Sequence, residues 1–181
     1  MKLLHALAFQ VVWFACVLGA AGGSSLPGVC AGAVFLALTL FSSERPWDEL
    51  RFVAQVSFLG IALDSVLGVG GLLAFAAPVP AAPGVAPLWL AVLWASFATL
   101  APRSLSWLQD RLGLAAGLGV LAGPLTYFSA TRLGAAEVVG SPALVGVLVA
   151  VEYGIALPLI LRASRALTPR PEPLESSSET A

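Results

Sequence analysis

The stretch FVAQVSFLGIALDSVLGVGGLLAF, Phe52 to Phe75, decides how this chain reads. It is apolar for long enough to cross a hydrocarbon layer about 30 Å thick, which takes roughly 20 helical residues. Yet it holds one carboxyl, Asp64, near its middle. A second apolar stretch, Pro142 to Leu161, holds Glu152 at its centre. An acid at the bilayer midplane costs about 2.5–3.5 kcal/mol on insertion scales, so it needs a partner, a proton or a purpose.

The rest of the chain has the same character. Of 181 residues, 59% are hydrophobic and 10% charged, against about 45–50% and about 25% in soluble domains. Further apolar runs span His5–Ala21, Leu26–Phe41, Leu88–Ala101 and Leu112–Ala130. The runs Leu26–Phe41 and Leu88–Ala101 are short and must tilt or borrow flanking residues. Backbone groups in hydrocarbon have no water to bond, and a helix satisfies them internally; the strict alternation of a barrel strand is absent. The expected fold is therefore all-α: a polytopic transmembrane helical bundle of about six spans, with five as the competing count. Residues 1–167 form that domain. The polar tail 168–181, rich in Pro, Glu and Ser, is expected to be a disordered cytoplasmic segment.

Basic residues set the orientation. Lys2, Arg45, Arg51, Arg103, Arg111, Arg162, Arg165 and Arg170 fall on one side of an even-numbered topology, and Arg132 alone on the other. Both termini should face the cytoplasm, in a multi-pass protein of a bacterial inner membrane. Lys2 and the apolar run after it are read as a retained first helix rather than a cleaved signal. Trp47, Trp89 and Trp107 lie near span ends, where an indole prefers the headgroup region. A net charge of −1 gives no basic face for nucleic acid.

Ser57, Gly60, Asp64, Gly68 and Gly71 recur at three- and four-residue spacing and share one helix face. Small residues there let another helix approach closely, so Asp64 points into the bundle. The sixth span is less explicit: Val145, Val149, Glu152 and Ala156 form one stripe, with Tyr153 beside it. Each acid reads either as a proton- or ligand-binding group or as a carboxyl pinning two helices together. Candidate companions are Gln10 and Trp13 on the first span, Ser96 and Thr99 on the fourth, and Tyr127 just after Gly123-Pro124, where Pro124 should kink the fifth span. For each, plain core packing is the alternative. Arg132, with Glu137 close by, can bond lipid headgroups or its acidic neighbour.

A single histidine, His5, and two isolated cysteines make no metal site, and no cofactor is expected. Cys16 and Cys30 lie at similar depth on consecutive helices; ordinary buried thiols are the expected state, a disulfide the alternative. No phosphate loop or nucleophile elbow is present. Three spans on each side of the proline-rich loop would suit an inverted repeat. However, Val12-Trp13-Phe14-Ala15 aligns only weakly with Leu93-Trp94-Ala95-Ser96, in a register that does not bring Asp64 onto Glu152.

Several segments together carry a resemblance. They are Phe9-Gln10 through Trp13, Leu63-Asp64-Ser65, Trp94 through Leu100 followed by Ser104-Leu105-Ser106-Trp107-Leu108, and Gly123-Pro124-Leu125 with Tyr127 and Arg132-Leu133-Gly134-Ala135. In their order and spacing, over most of residues 3–165, the chain resembles a family of small bacterial membrane proteins, domain of unknown function 2878 (DUF2878). Pro102 departs from that pattern and leaves open whether Arg103 lies at the surface or inside. The resemblance implies no established activity. It implies a lipid-linked accessory role, from genes of the family lying near those for cyclopropane-type fatty-acid modification. The leading expectation is a membrane protein that binds a small or lipidic ligand or assists lipid-modifying membrane proteins, with the bilayer as its constant partner. A small proton-coupled transporter using Asp64 and Glu152 comes second and an intramembrane enzyme third, with oligomeric state open.

Overall fold

Apolar runs this dense leave few choices for the backbone, and helices dominate. A computed structural model describes residues 2–168; of the tail expected over 168–181, Thr168 bonds Gln109 and residues 169–181 lie outside the described residues. Among the described residues there are six helices: α1 (Lys2–Ala21), α2 (Leu26–Phe41), α3 (Pro46–Val69), α4 (Leu88–Ala98), α5 (Leu112–Arg132) and α6 (Pro142–Ser164). Helices α1, α3, α5 and α6 are long and apolar enough to cross a membrane; α2 and α4 are shorter.

The helix ends follow from local chemistry. Helices α1, α3 and α5 stop the same way, at Gly23, Gly71 and Gly134, each with positive φ. In each, the glycine N–H and the next N–H return to carbonyls of the last turn, as Ser24 does to Gly19 at 2.9 Å and Leu72 to Leu67 at 3.0 Å. Gly71 is therefore a cap and not part of the α3 stripe, which corrects the expected span to Phe75. That helix also starts earlier than expected. Pro46 stands at its first position, and Asp48 and Glu49 in the first turn suit the positive end of the helix dipole. Helix α4 is shorter than the expected run to Ala101: Pro102 has no N–H to give Ala98 and would clash with its carbonyl. The chain continues from Thr99 to Leu105 as turns, with Leu100 and Ala101 buried. Irregular backbone is tolerated there because protein surrounds it.

An antiparallel ribbon, unexpected from the sequence, joins two of the loops. Strand β1 (Leu73–Phe75) pairs with β2 (Ala136–Val138), Ala74 opposite Glu137. At that end Ser25 also bonds the Ala77 carbonyl, and the Trp89 indole bonds the Ala76 carbonyl at 3.0 Å. Trp89 is 2% exposed, so it is a core residue, not the interfacial anchor expected; Trp47 and Trp107 are exposed. At the opposite end Lys2 reaches Ser106, Arg45 reaches Ala166 and Arg103 reaches Glu49. The loops thus sort into two ends, one of them rich in arginine. Cys16 is buried against Gly28 and Cys30 is exposed, both as free thiols.

The core divides among the helix pairs. One cluster joins α3, α4 and α6 around Phe52, Trp94 and Leu161. Another joins α1, α2 and α4 around Val12, Phe35 and Trp89. Helix α5 packs chiefly on α6, where Gly119 and Gly123 bring it against Tyr153 so closely that a Cβ at either would overlap that residue.

Candidate functional site

Helix α3 presents Gly60 and Asp64 one turn apart on its buried face. The Trp94 indole of α4 lies flat over Gly60, where any Cβ would collide with the ring. That position lets the indole Nε1 donate to Asp64 Oδ2 at 2.8 Å. From α5, the Tyr127 hydroxyl donates to Asp64 Oδ1. Asp64 is fully buried, and both its oxygens accept from donors on other helices. One carboxyl thus ties α3 to α4 and to α5, the arrangement that makes a buried polar group tolerable.

Tyr153 of α6 completes an aromatic wall. Its ring centre lies 5.3 Å from Trp94 and 5.9 Å from Tyr127, edge-on to the latter. Glu152, its neighbour in the chain, sits partly buried on the same helix. Its Oε1 is buried and has no hydrogen-bond partner among the described residues.

On the far side of that wall lies an open, mostly apolar cleft of about 940 Å³ between α1 and α5, floored by α4. Its lining runs from Leu105 and Leu108 at the arginine-rich end to Phe75, Ala136 and Arg132 at the ribbon end. Along α5 it extends from Leu118 to Leu133, about 22 Å at 1.5 Å per residue. Gln10 and Trp13 line it from α1, Tyr127 from α5. Asp64 lies behind the wall and does not reach the cleft surface. With α3 ending at Val69, Asp64 also stands five positions from a helix end rather than midway.

The other expected companions separate from this centre. Ser96 and Thr99 do not line the cleft. Thr99 donates to the Ser96 carbonyl at 2.7 Å and meets His5 Nε2 at 3.1 Å, while Ser96 Oγ is buried without a partner among the described residues. Helix α5 runs unbroken through Pro124. Arg132 is exposed and forms no ion pair with Glu137 among the described residues. Gly68 meets Gly84 of the proline-rich loop, not a helix.

Sequence reasoning missed a second polar centre. Arg103 is drawn inward, where it bonds Glu49 through both carboxylate oxygens and the Thr39 carbonyl at 3.3 Å. The signal lay in the polar run before Arg51, which reads as a loop until Pro46 is recognised as a helix start. Trp94 was also overlooked at the Asp64 site. A glycine one turn from a buried acid, facing a tryptophan-bearing helix, is the pattern that would have pointed to it. Among the described residues no cluster of three potential metal ligands occurs.

A family model described as protein of unknown function (DUF2878) matches residues 2–159. No curated protein and no solved structure matches the chain.

Proposed function

The chain belongs to the DUF2878 family, and from its geometry we propose a bacterial inner-membrane protein, both termini cytoplasmic, that binds the hydrocarbon chain of a lipid between α1 and α5. The cleft carries this reading. Its volume of about 940 Å³ lies within the range of ligand sites, about 300–1,000 Å³. Its length of about 22 Å exceeds half of a hydrocarbon layer about 30 Å thick, the depth of one leaflet. An apolar cleft facing a bilayer fills with chains rather than water. Arg132 at one end supplies a cation for an acidic headgroup, and Gln10 and Thr126 supply polar contacts along the wall. Asp64 holds Tyr127 and Trp94 in place and so shapes the wall from behind.

The test is photocrosslinking with a diazirine fatty acid in native membranes. Adducts should concentrate on Trp13, Ala122 and Thr126, and Ala122→Trp should remove them while the protein still folds. Equal labelling of the lipid-facing Phe58 and Leu121, both exposed and outside the cleft, would show contact with bulk lipid only. A role beside lipid-modifying proteins is a further part of this proposal; identical lipid profiles of deletion and parent strains would remove it.

One observation favours a second reading, a proton-coupled transporter: the buried Glu152 Oε1, which has no hydrogen-bond partner among the described residues. Proton uptake by proteoliposomes, lost in Glu152→Gln, would support it; absence of any flux would end it.

A further inference from the structure

The arginine-rich end holds a second cavity, of about 790 Å³, that shares no lining residue with the cleft. Three arginines line it from separate parts of the fold: Arg45 from the α2–α3 turn, Arg103 from the turns after α4, and Arg165 from the end of α6. Gathering three like charges is Coulombically unfavourable unless something negative offsets them. Glu49 offsets one, since Arg103 spends both terminal nitrogens on it. Among the described residues Arg165 has only Asp110, whose side chain is 93% exposed, and the Gln109 carbonyl. Arg45 forms no ion pair among the described residues, and its one side-chain hydrogen bond there, to the Ala166 carbonyl, is 3.4 Å long. Glu44 also lines the cavity but engages none of the three.

The level of the cavity points to the occupant. Trp47 and Trp107, at the same end, are 73% and 51% exposed, and exposed indoles on a membrane protein mark the headgroup layer. Basic pockets between helices on the cytoplasmic side bind lipid head groups, and the guanidinium fork matches phosphate oxygens. We propose that this cavity binds the phosphate of an anionic phospholipid, with Arg45 and Arg165 as its direct ligands and Arg103 held in place by Glu49. The proposal is independent of the cleft: Ala122→Trp should leave it intact.

The full chain, purified in mild detergent, is offered phosphatidylglycerol and phosphatidylcholine, and retained lipid is read by native mass spectrometry. The expected result is preferential retention of phosphatidylglycerol, reduced about fivefold by Arg45→Gln and largely preserved by Arg45→Lys. Arg165→Gln should act alike, but it also loses the Gln109 contact, so Arg45→Gln decides. Arg51→Gln, at an exposed arginine outside the cavity, should change nothing. Equal retention of the two lipids would overturn the assignment, as would a loss in Arg51→Gln equal to that in Arg45→Gln. Displacement of bound phosphatidylglycerol by millimolar inorganic phosphate alone would also overturn it, in favour of a soluble oxyanion.

Discussion

Tyr127 donates its phenol hydrogen to Asp64 across 63 residues of chain, and Trp94 takes the other oxygen of the same carboxyl from a third helix. The two donors belong to rings that face the cleft, whereas the acceptor lies behind them. Asp64 therefore acts on whatever occupies the cleft only through the rings it holds.

If that is so, Asp64→Ala should destabilise the folded bundle and loosen the wall together. Orphaned buried donors cost about 1–3 kcal/mol each in soluble proteins, but interhelical bonds in membranes average about 0.6. The expected loss is thus about 1–3 kcal/mol in reversible unfolding from mixed micelles. Asp64→Asn keeps one acceptor oxygen and should lose roughly half as much. In a double-mutant cycle with Tyr127→Phe the effects should be non-additive. Additive effects would mean that the two side chains do not interact.

Two glycines of α5, two positions apart, should respond with opposite signs. Gly117 has open space around its Cα, so Gly117→Ala should stabilise by about 0.5–1 kcal/mol through backbone entropy alone. A Cβ on Gly119 would overlap the Tyr153 backbone, so Gly119→Ala must push α5 from α6 at about 1–3 kcal/mol. Equal responses would contradict the α5–α6 packing.

The Arg103–Glu49 pair predicts a different non-additivity. Glu49 is nearly buried, its side chain 4% exposed, and Arg103 is 25% exposed. Arg103→Met leaves a buried carboxylate alone and should cost about 3 kcal/mol. Adding Glu49→Leu should recover part of that loss, because the uncompensated charge goes with it. Recovery of nothing would argue that the pair is solvated.

What the sequence revealed, and what it hid, follows from the range of each signal. Apolar run length is local, so the helices between Leu26 and Leu161 are legible, and the spacing of Gly60 and Asp64 places the acid on a packed face. Gly71 misled because a glycine cap and a small packing residue look identical until the sign of φ is known. Pro46 and Pro102 were visible, but whether a proline starts a helix or ends one depends on the residues four before it. The pairing of Asp64 with Tyr127, and of Glu49 with Arg103, is non-local. No periodicity within one span encodes which partner lies across the bundle. Trp89 shows the same gap: its place near a span end fits an interfacial anchor, and only the folded ribbon over it makes it core.

Glu152 supplies the last prediction. A carboxyl oxygen buried without a partner lowers stability, and such groups are retained where function uses them. Replacing it with Leu removes that polar atom from a helix face whose neighbours, Val149 and Ala156, are buried and apolar. Glu152→Leu should therefore raise the unfolding midpoint, by about 1 kcal/mol or more in stability, while Glu152→Gln should leave it near the parent value. The opposite result, a clear loss on Glu152→Leu, would mean that the carboxyl has a stabilising partner in the folded bundle. Glu152 would then be a helix pin like Asp64, and the second, proton-coupled reading would lose the observation it rests on.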